Sequence, residues 1–498
     1  MVFTLLPAPA IAAGNWWWNN DEYTEEAVPT ATTDDYDRIL HLDCGRKYFT
    51  KDWIIALMTE AKAAGYNQIQ LAFGNKGLRF LLDNMSLTVN GTTYNSQQVS
   101  DAIHTGNETY YDFPVDELTE TEMNDILTAA QTIGIDVIPL FNTPFHMEAV
   151  ITAMEELGIT DSYFTKVDGT PERGCLNLSN EAAVNFVKAL MQKYVNYFSG
   201  KNCKYFSFGA DEYTGGWNDT FYSYAGEIAS MIKTAQMTPR VFNDSYRDGS
   251  TTYIDGVDQV CYWYTGYWGN MYSSAATLKA AGKQLINTNK DYYYVVSKEQ
   301  IKEWSSPQII QYVFSGPYDE ATWINKANKF NRDTFNNWAG INYASVSSDG
   351  SMFCIWCDNP GAKDETQIAK ETRMILRVMA ARMQNSYDYQ DADVLVDGGF
   401  DADGRIYHKD IKDNKDIKEI NITVGQTHTE TIDGNHLGPY EIAKPDIATV
   451  TGKVIPGTTA TQTLGDMYEV YYYNGYQSAT GVISDGKGNY LKISNDNA

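Results

Sequence analysis

The chain has 498 residues, of which 38 are basic and 64 are acidic, and its formal net charge at pH 7 is −26. This charge repels nucleic-acid backbones and anionic membranes, so the sequence predicts no nucleic-acid partner. No apolar run in the sequence reaches 18 residues, and no membrane span is predicted.

The first residues resemble the end of an export signal. Residues 2–13 are mostly small and apolar, and Ala10-Ile11-Ala12 has the spacing of a signal-peptidase site. An ordinary apolar terminus is an equal alternative, because the basic segment that begins such signals is missing. We expect a secreted or cell-surface bacterial protein in which residues 1–35 form this N-terminal segment.

Short apolar strands alternate with amphipathic helices from residue 36 to residue 385. A strand at 39–43 precedes a helix at 51–64, whose apolar side chains recur at helical spacing. A second helix is predicted to begin after Thr119 or Thr121 and to end near Gly134. Two more helices are predicted at 181–197 and 365–383. The remaining strands are predicted at 68–73, 136–141, 204–208, 240–243, 259–263, 285–287 and 352–356. Eight such strands predict an α/β fold, a (β/α)8 TIM barrel, since a doubly wound sheet needs fewer.

The composition changes after the last predicted helix. Residues 386–419 are Asp-rich and irregular, which is typical of a linker. Residues 420–498 contain short alternating runs at 420–424, 447–450 and 467–473, which predict a small all-β, Ig-like accessory domain. We expect this domain to be truncated.

Cofactor and metal motifs are missing from the sequence. It has no GxxxxGK(S/T), no Gly-rich dinucleotide turn after the first strand and no HExxH. Cys354 and Cys357 have CxxC spacing, but no second CxxC or nearby His pair completes a zinc site. We therefore expect two buried thiols there, and neither a cofactor nor a metal.

In a TIM barrel the active site lies at the carboxyl ends of the strands. The side chains predicted at these ends are Asp43, Arg46, Arg79, Asn142, His146, Asp211, Glu212, Asn243, Asp244, Trp263, Tyr264, Tyr292, Tyr293, Tyr294 and Asp358.

Asp211 and Glu212 are adjacent, so their side chains leave the strand end in different directions. An ordinary retaining glycosidase needs two opposed carboxylates about 5 Å apart, and this pair cannot supply them. An acid beside an orienting carboxylate suits a reaction whose nucleophile belongs to the substrate. The alternative is a solvated acidic pair without a catalytic role.

Four motifs, in order, resemble those of glycoside hydrolase family 20, the β-N-acetylhexosaminidases and lacto-N-biosidases. Phe208-Gly209-Ala210-Asp211-Glu212 is similar to the family's Gly-x-Asp-Glu, and Asp43-Cys44-Gly45-Arg46 to its Asp-x-x-Arg. Phe141-Asn142-Thr143-Pro144-Phe145-His146 resembles Phe-Asp-Thr-Pro-Gly-His, and Trp356-Cys357-Asp358 resembles Trp-x-Glu or Trp-x-Asp. The resemblance covers residues 37–383.

The resemblance implies catalytic roles for three residues. Glu212 would protonate the glycosidic oxygen and then activate water as a base. Asp211 would orient the 2-acetamido group of the substrate and stabilise the oxazolinium intermediate. A tyrosine after the seventh strand would donate to the acetamide oxygen, and we choose Tyr292 over Tyr293 and Tyr294.

The resemblance also implies substrate contacts. Trp263 and Trp356 would wall the acetamido pocket, Arg46 and Asp358 would hold sugar hydroxyls, and His146 would support the acidic pair. Asn75 and Arg79, in a loop that departs from the family pattern, are predicted to contact substrate as well.

Departures from the family pattern bear on the substrate. Asn142 stands where the family usually has Asp, Phe145 where it has Gly, and Phe242 where a pocket Trp is usual. The altered loop after the second strand and the insertion at 81–112 favour a pocket that is not closed around a single sugar. In this the chain resembles the lacto-N-biosidase branch of the family, whose pocket admits galactose β1,3-linked to GlcNAc, and we favour that branch. The expected partners are therefore oligosaccharides or glycoconjugate glycans, including those of human milk.

Two alternatives are retained. An exo-β-N-acetylhexosaminidase would release a single sugar. A non-catalytic carbohydrate-binding barrel would have the same fold, but the intact Asp211, Glu212 and His146 argue against it. A metal-dependent hydrolase would need clustered His ligands, which six His residues without an HxH pair do not supply.

Overall fold

The structure is a computed structural model that describes residues 35–109, 116–246, 254, 256–263, 273–296, 330, 332 and 346–384, together with short strands at 313–314 and after residue 398. The predicted export signal lies outside these residues, as does most of the predicted linker. Among the described helices, none is both long and apolar enough to cross a membrane.

Eight parallel strands close into a barrel, which confirms the predicted fold class for this part of the chain. In order around the barrel they are β1 (Asp37–Leu42), β2 (Gln68–Asn75), β3 (Asp136–Thr143), β4 (Tyr205–Gly209), β5 (Thr238–Phe242), β6 (Gln259–Tyr262), β7 (Gln284–Asn287) and β8 (Gly350–Trp356). The barrel closes where β1 pairs with β8, with Ile39 opposite Met352. These strands are almost wholly buried, and several carry buried polar side chains, among them His41, Gln70 and Arg240.

The structure contains the four helices predicted from the sequence and four more among the described residues. They are α1 (Lys51–Ala64), α2 (Ser96–Thr109), α3 (Glu120–Ile133), α4 (Glu148–Glu156), α5 (Glu181–Phe198), α6 (Asp219–Thr234), α7 (Ala275–Ala280) and α8 (Glu365–Met383). Thr119 rather than Thr121 caps α3: its side chain accepts from the N–H of Glu122, whose carboxylate accepts from the N–H of Thr119 in return. Gly134, with φ of 78°, ends this helix as predicted.

Gly77–Leu78 pairs with the end of β2, ahead of the predicted insertion at 81–112. The insertion itself contains a hairpin of Leu87–Val89 and Thr92–Tyr94, which is followed by α2. A second hairpin, of Tyr163–Thr165 and Pro171–Leu176, lies between α4 and α5. No pattern in the sequence predicts either hairpin.

The seventh strand is interrupted. β7 pairs with the first residues of β8, through Ile286 opposite Gly350, and a 3₁₀ turn follows at Lys290–Tyr292. Tyr293–Val295 then resumes parallel pairing with the last residues of β8. Of the three candidate tyrosines, Tyr292 therefore lies in the turn, and Tyr293 and Tyr294 lie in the resumed strand.

The core is divided by the barrel wall. The larger cluster lies between the strands and the helices. A smaller cluster joins alternate side chains of β1, β2, β3, β5, β6, β7 and β8, and Trp263, Tyr293 and Trp356 belong to it. The smaller cluster, which fills the inside of the barrel, thus brings aromatic rings from three strand ends together.

All six cysteines are free and buried, including the predicted buried pair Cys354 and Cys357. After residue 398, four strands form an antiparallel sheet in the order Lys418–Thr423, Thr449–Ile455, Tyr490–Ser494, Thr480–Ser484. The other described strands there are Gly399–Phe400, Ile406–Tyr407, Thr427–Ile432 and Asn435–Glu441. The strand predicted at 467–473 lies outside the described residues.

Candidate active site

The turn after β4 places two carboxyl groups side by side. Gly209, Ala210 and Glu212 all have positive φ, at 65°, 54° and 53°. Residues other than glycine adopt this conformation at a cost on the order of 1 kcal/mol each, and such strain clusters at functional sites. The turn leaves Asp211 buried, whereas the Glu212 side chain is 50% exposed.

His146 bridges these two carboxylates. Its Nε2 lies 3.5 Å from Oδ2 of Asp211 and 3.1 Å from Oε2 of Glu212. Burial alone would lower the pKa of His146, but hydrogen bonds to Asp211 and Glu212 raise it to about 10. The imidazole is therefore a cation placed between two acids.

Asn142 provides a second anchor for Asp211. Its Nδ2 donates to Oδ1 of Asp211 at 2.7 Å, and Gly209 allows the approach, because a Cβ there would lie 2.1 Å from Oδ1 of Asn142. Although burial opposes ionisation, His146 and this amide hold the pKa of Asp211 below its ordinary value. The Asn142 amide thus donates a hydrogen bond to an ionised carboxylate.

Asp43, which follows β1, organises a neighbouring part of the pocket. It is fully buried and accepts from Nη1 of Arg46 at 2.9 Å, from Nδ2 of Asn75 at 3.1 Å and from the N–H of Cys357 at 3.1 Å. Burial opposes ionisation here too, but the charge and hydrogen bond of Arg46 hold the pKa of Asp43 below its usual value.

Asn75 links this part of the pocket to the acidic pair. Its Oδ1 accepts from Nδ2 of Asn142 at 3.4 Å, which completes a chain from Asp43 through both amides to Asp211. The structure therefore places Asn75 in the hydrogen-bonded frame of the pocket. Its predicted contact with substrate stays a prediction.

Arg46 and Asp358 lie together at the rim. Nη1 of Arg46 is 3.7 Å from Oδ1 of Asp358, and the guanidinium lies 5.8 Å from the centre of the Trp356 ring. The Asp358 side chain is 52% exposed, so it is accessible to a ligand.

Arg79 lies deeper than its predicted substrate contact suggests. It is buried, and its guanidinium donates to the carbonyls of Gly45 at 2.9 Å, Asp116 at 3.1 Å and Arg46 at 3.4 Å. These bonds hold the loop that carries Arg46.

Aromatic rings form the floor and one wall of the pocket. Trp356 lies against His41, with ring centres 4.2 Å apart, and burial lowers the pKa of His41 to about 4, so this ring is neutral. Trp263 stands at the end of β6, where its Nε1 donates to Oδ1 of Asp244 at 3.0 Å. The sequence identifies Asp244 as a strand-end residue but gives no signal of this contact.

The three tyrosines face different surroundings. Tyr293 belongs to the cluster inside the barrel, with its ring centre 5.9 Å from that of Trp356. Tyr292, the predicted choice, packs edge-on against Phe330 in the outer cluster, and Tyr294 donates to Glu371 of α8 at 2.7 Å. Of the three, the structure therefore places Tyr293 beside the pocket floor, and the predicted acetamide contact of Tyr292 stays a prediction.

Among the described residues, one group of side chains could in principle hold a metal ion: His146, Asp211 and Glu212. One ligand atom from each lies within 4.8 Å of the other two. The raised pKa of His146 favours an imidazolium that contacts both carboxylates. In this state the three side chains suit proton transfer beside a fixed negative charge.

Comparisons with known proteins agree with this geometry. Residues 36–358 match the family described as Glycosyl hydrolase family 20, catalytic domain. Over 276 residues the chain is 24% identical to the lacto-N-biosidase of Bifidobacterium bifidum; this alignment covers 51% of this chain and only 22% of that relative's length.

Solved structures are similar as well. Two of the pneumococcal exo-β-D-N-acetylglucosaminidase StrH are 31% identical to this chain, with TM-scores of 0.61 and 0.62. They cover 70% and 72% of this chain, and 84% and 86% of their own chains are matched. Dispersin B, 20% identical with a TM-score of 0.52 over 70% of this chain and 99% of its own, has the same fold.

Proposed function

The chain belongs to glycosyl hydrolase family 20 and is a glycoside hydrolase of the hexosaminidase type, and from this premise we propose that it is a retaining lacto-N-biosidase acting by substrate-assisted catalysis. It would release Gal-β1,3-GlcNAc from the non-reducing end of oligosaccharides, including those of human milk. The observation that carries the mechanism is the buried, ionised Asp211 beside the accessible Glu212.

The proposed first step breaks the glycosidic bond. The carbonyl oxygen of the 2-acetamido group attacks the anomeric carbon, while Glu212 transfers its proton to the departing oxygen. Asp211, held ionised by His146 and Asn142, accepts the acetamide N–H and stabilises the positive oxazolinium.

The second step reverses the roles. Glu212, now a carboxylate, takes a proton from water as the water oxygen attacks the anomeric carbon and the oxazolinium ring opens. Two inversions leave the product with its original β configuration. Trp356 and Trp263 would enclose the acetamide, and Arg46 with Asp358 would hold hydroxyl groups of the sugar.

An inhibitor tests this mechanism. GlcNAc-thiazoline extended with β1,3-galactose copies the intermediate, so we expect it to bind far more tightly than the product disaccharide in calorimetric titrations. Equal affinities would contradict substrate-assisted catalysis.

Disaccharide release is supported by the similarity to the B. bifidum lacto-N-biosidase and by the altered loop that follows β2. The competing candidate is release of a single GlcNAc, favoured by the higher identity to pneumococcal StrH. Both functions need a pocket for the acetamido group of GlcNAc. They differ in whether the site also accommodates a galactose linked to that GlcNAc.

Product analysis separates the two candidates. With lacto-N-tetraose we expect lacto-N-biose and lactose by mass spectrometry, and no hydrolysis by the Glu212→Gln variant. Lacto-N-triose II, which ends in GlcNAc, is the matched second substrate. Release of GlcNAc from the triose without hydrolysis of the tetraose would establish the single-sugar alternative.

Two further proposals concern the rest of the chain. We propose that the protein is exported to the cell surface or medium, which Ala10-Ile11-Ala12 supports and fractionation of producing cells would test.

We also propose that residues 420–498 form the Ig-like accessory domain, which the antiparallel pairing of Lys418–Thr423 with Thr449–Ile455 supports. Limited proteolysis would test this by releasing a stable fragment.

A further inference from the structure

Asp244 lies in a 3₁₀ turn, Asn243–Ser245, that follows β5 directly. It is 2% exposed, and each of its carboxylate oxygens accepts a hydrogen bond. Oδ2 accepts from the main-chain N–H of Glu212 at 2.5 Å, and Oδ1 accepts from the indole Nε1 of Trp263 at 3.0 Å. One buried side chain therefore contacts both the acidic turn and the aromatic wall.

The two residues next to Asp244 in this turn also bond to the residue after β6 and to the turn after β4. Asn243 accepts from the main-chain N–H of Trp263 at 2.8 Å, and Ser245 donates to the carbonyl of Ala210 at 2.8 Å. The end of β5 is thus tied to the residue that follows β6 and to the turn that follows β4. Of the three side chains, only that of Asp244 contacts both Glu212 and Trp263 in these bonds.

We propose that Asp244 is a positioning residue that fixes the main chain of Glu212 and the indole of Trp263 relative to each other across the pocket. This rests on the proposed role of Glu212 as the acid. Glu212 has φ of 53°, so its strained main chain needs an external anchor to stay in this conformation. The position of its carboxyl group above the substrate depends on that conformation.

A carboxyl group suits this position better than an amide, because both of its oxygens can accept a hydrogen bond. Two N–H donors face it, and an amide offers only one acceptor, so Asn would turn an NH₂ group toward one of the donors. The protein keeps the acid although burial, and then the nearby charge of Asp211, raise the pKa of Asp244 to about 8.

The test is the isosteric variant Asp244→Asn, assayed on two substrates of the full-length protein. A disaccharide glycoside with a sugar leaving group needs the proton of Glu212, whereas a 4-nitrophenyl glycoside needs it much less. Because small misplacements of a catalytic group cost up to about 10²-fold, we expect kcat on the sugar leaving group to fall about 10- to 10²-fold. The loss on the nitrophenyl glycoside should be several-fold smaller.

Asp349→Asn is the matched control. Asp349 precedes β8 at the opposite end of the barrel, where its carboxylate accepts from the main-chain N–H of Leu285 at 2.7 Å. We expect this variant to leave the ratio of the two activities unchanged. Equal losses on both substrates for Asp244→Asn would overturn the proposal, because a merely structural carboxyl would not discriminate between leaving groups.

Two more variants complete the design. Trp263→Phe removes the indole donor and keeps the buried acid, and we expect it to raise KM; in a double-mutant cycle with Asp244→Asn the KM effects should be less than additive. Full additivity would overturn the link to Trp263. Glu212→Gln separates the two proposals: if it shows the leaving-group dependence and Asp244→Asn does not, only the role of Asp244 fails.

Discussion

The two sides of the barrel mouth, formed by the carboxyl ends of the strands, stabilise buried carboxylates in different ways. On the side of β1 to β4, each has a cationic neighbour: Arg46 contacts Asp43, and His146 contacts Asp211. On the side of β5 and β6, Asp244 accepts from two N–H donors. The pKa values of Asp43 and Asp211 are lowered, whereas burial raises that of Asp244 to about 8.

The difference separates two tasks. Where a negative charge must persist during the reaction, a nearby cation fixes the ionisation of the carboxylate. Where a carboxyl group positions other residues, N–H donors fix the orientation of its oxygens, and its ionisation is less strongly favoured. Substitutions on the first side should therefore change the chemical step for every substrate, and substitutions on the second side should change how well Glu212 is placed.

The largest effect is expected at Glu212, where the two sides meet. Glu212→Gln removes the transferable proton, which is worth about 10² to 10⁴ in rate, so hydrolysis of natural oligosaccharides should nearly cease. Single-turnover measurements with a nitrophenyl glycoside should show a much smaller loss in the bond-breaking step. An equal loss with both leaving groups would show that Glu212 is not the acid.

The next effect is expected at Asp211. Asp211→Asn keeps the shape and removes the charge beside the oxazolinium, so kcat should fall on the order of 10²-fold or more with little change in KM. Unlike Asp244→Asn, this variant should affect the sugar and nitrophenyl leaving groups alike, since both reactions pass through the same cation. NMR of the early wild-type product should show the β-anomer. A nearly silent Asp211→Asn variant, or an α-anomer formed first, would contradict the mechanism.

A smaller effect is expected at Asn142. Asn142→Leu removes the donor that lies 2.7 Å from Asp211, so the pKa of Asp211 should rise and the acid limb of the pH–rate profile should move to higher pH. A hydrogen bond to a charged group is worth about 1.5–3 kcal/mol, so kcat should fall by roughly 10-fold or more.

Thr143→Val is the control for Asn142→Leu. The Thr143 hydroxyl is also buried, but it faces outward from the barrel and contacts the hydroxyl of Tyr224 at 2.6 Å. Its loss should leave the acid limb in place. An unmoved acid limb in Asn142→Leu would show that the amide does not hold Asp211 ionised.

The barrel could be predicted from the sequence because its signals are local. Alternating buried strands and capped helices leave a pattern within windows of a few residues, and the helix Lys51–Ala64 has the predicted bounds. The hairpin of Leu87–Val89 and Thr92–Tyr94 was missed, since strands this short in an irregular segment give almost no periodic signal.

The site was predicted less completely because its contacts are long-range. Motifs pointed to Asp211, Glu212 and His146, which the structure brings together. No spacing in the sequence indicates that Asp244 accepts from a main-chain N–H 32 positions earlier, or that an interruption of the seventh strand turns Tyr293 rather than Tyr292 toward Trp356. Such contacts depend on how neighbouring strand ends meet, which only the closed barrel determines.

The smallest expected effect concerns stability rather than catalysis. His146 has its pKa raised to about 10 by Asp211 and Glu212, so its charged contacts stabilise the fold fully below about pH 6.5, the ordinary value for histidine. That stabilisation is lost as the pH rises from there toward 10. Melting temperatures at pH 6 and pH 9.5 should therefore differ more in the wild type than in His146→Gln, by a few °C for a domain of this size.

His104→Gln is the matched control for His146→Gln. Hydrogen bonds to Glu117 outweigh burial and raise the pKa of His104 as well, but its side chain is 43% exposed, and exposed ion pairs contribute little to stability. We therefore expect the pH dependence of melting in His104→Gln to match the wild type. If His146→Gln also matched the wild type at both pH values, the imidazolium between Asp211 and Glu212 would not stabilise the fold. The cationic partner that distinguishes this side of the barrel mouth from the Asp244 side would then be Arg46 alone.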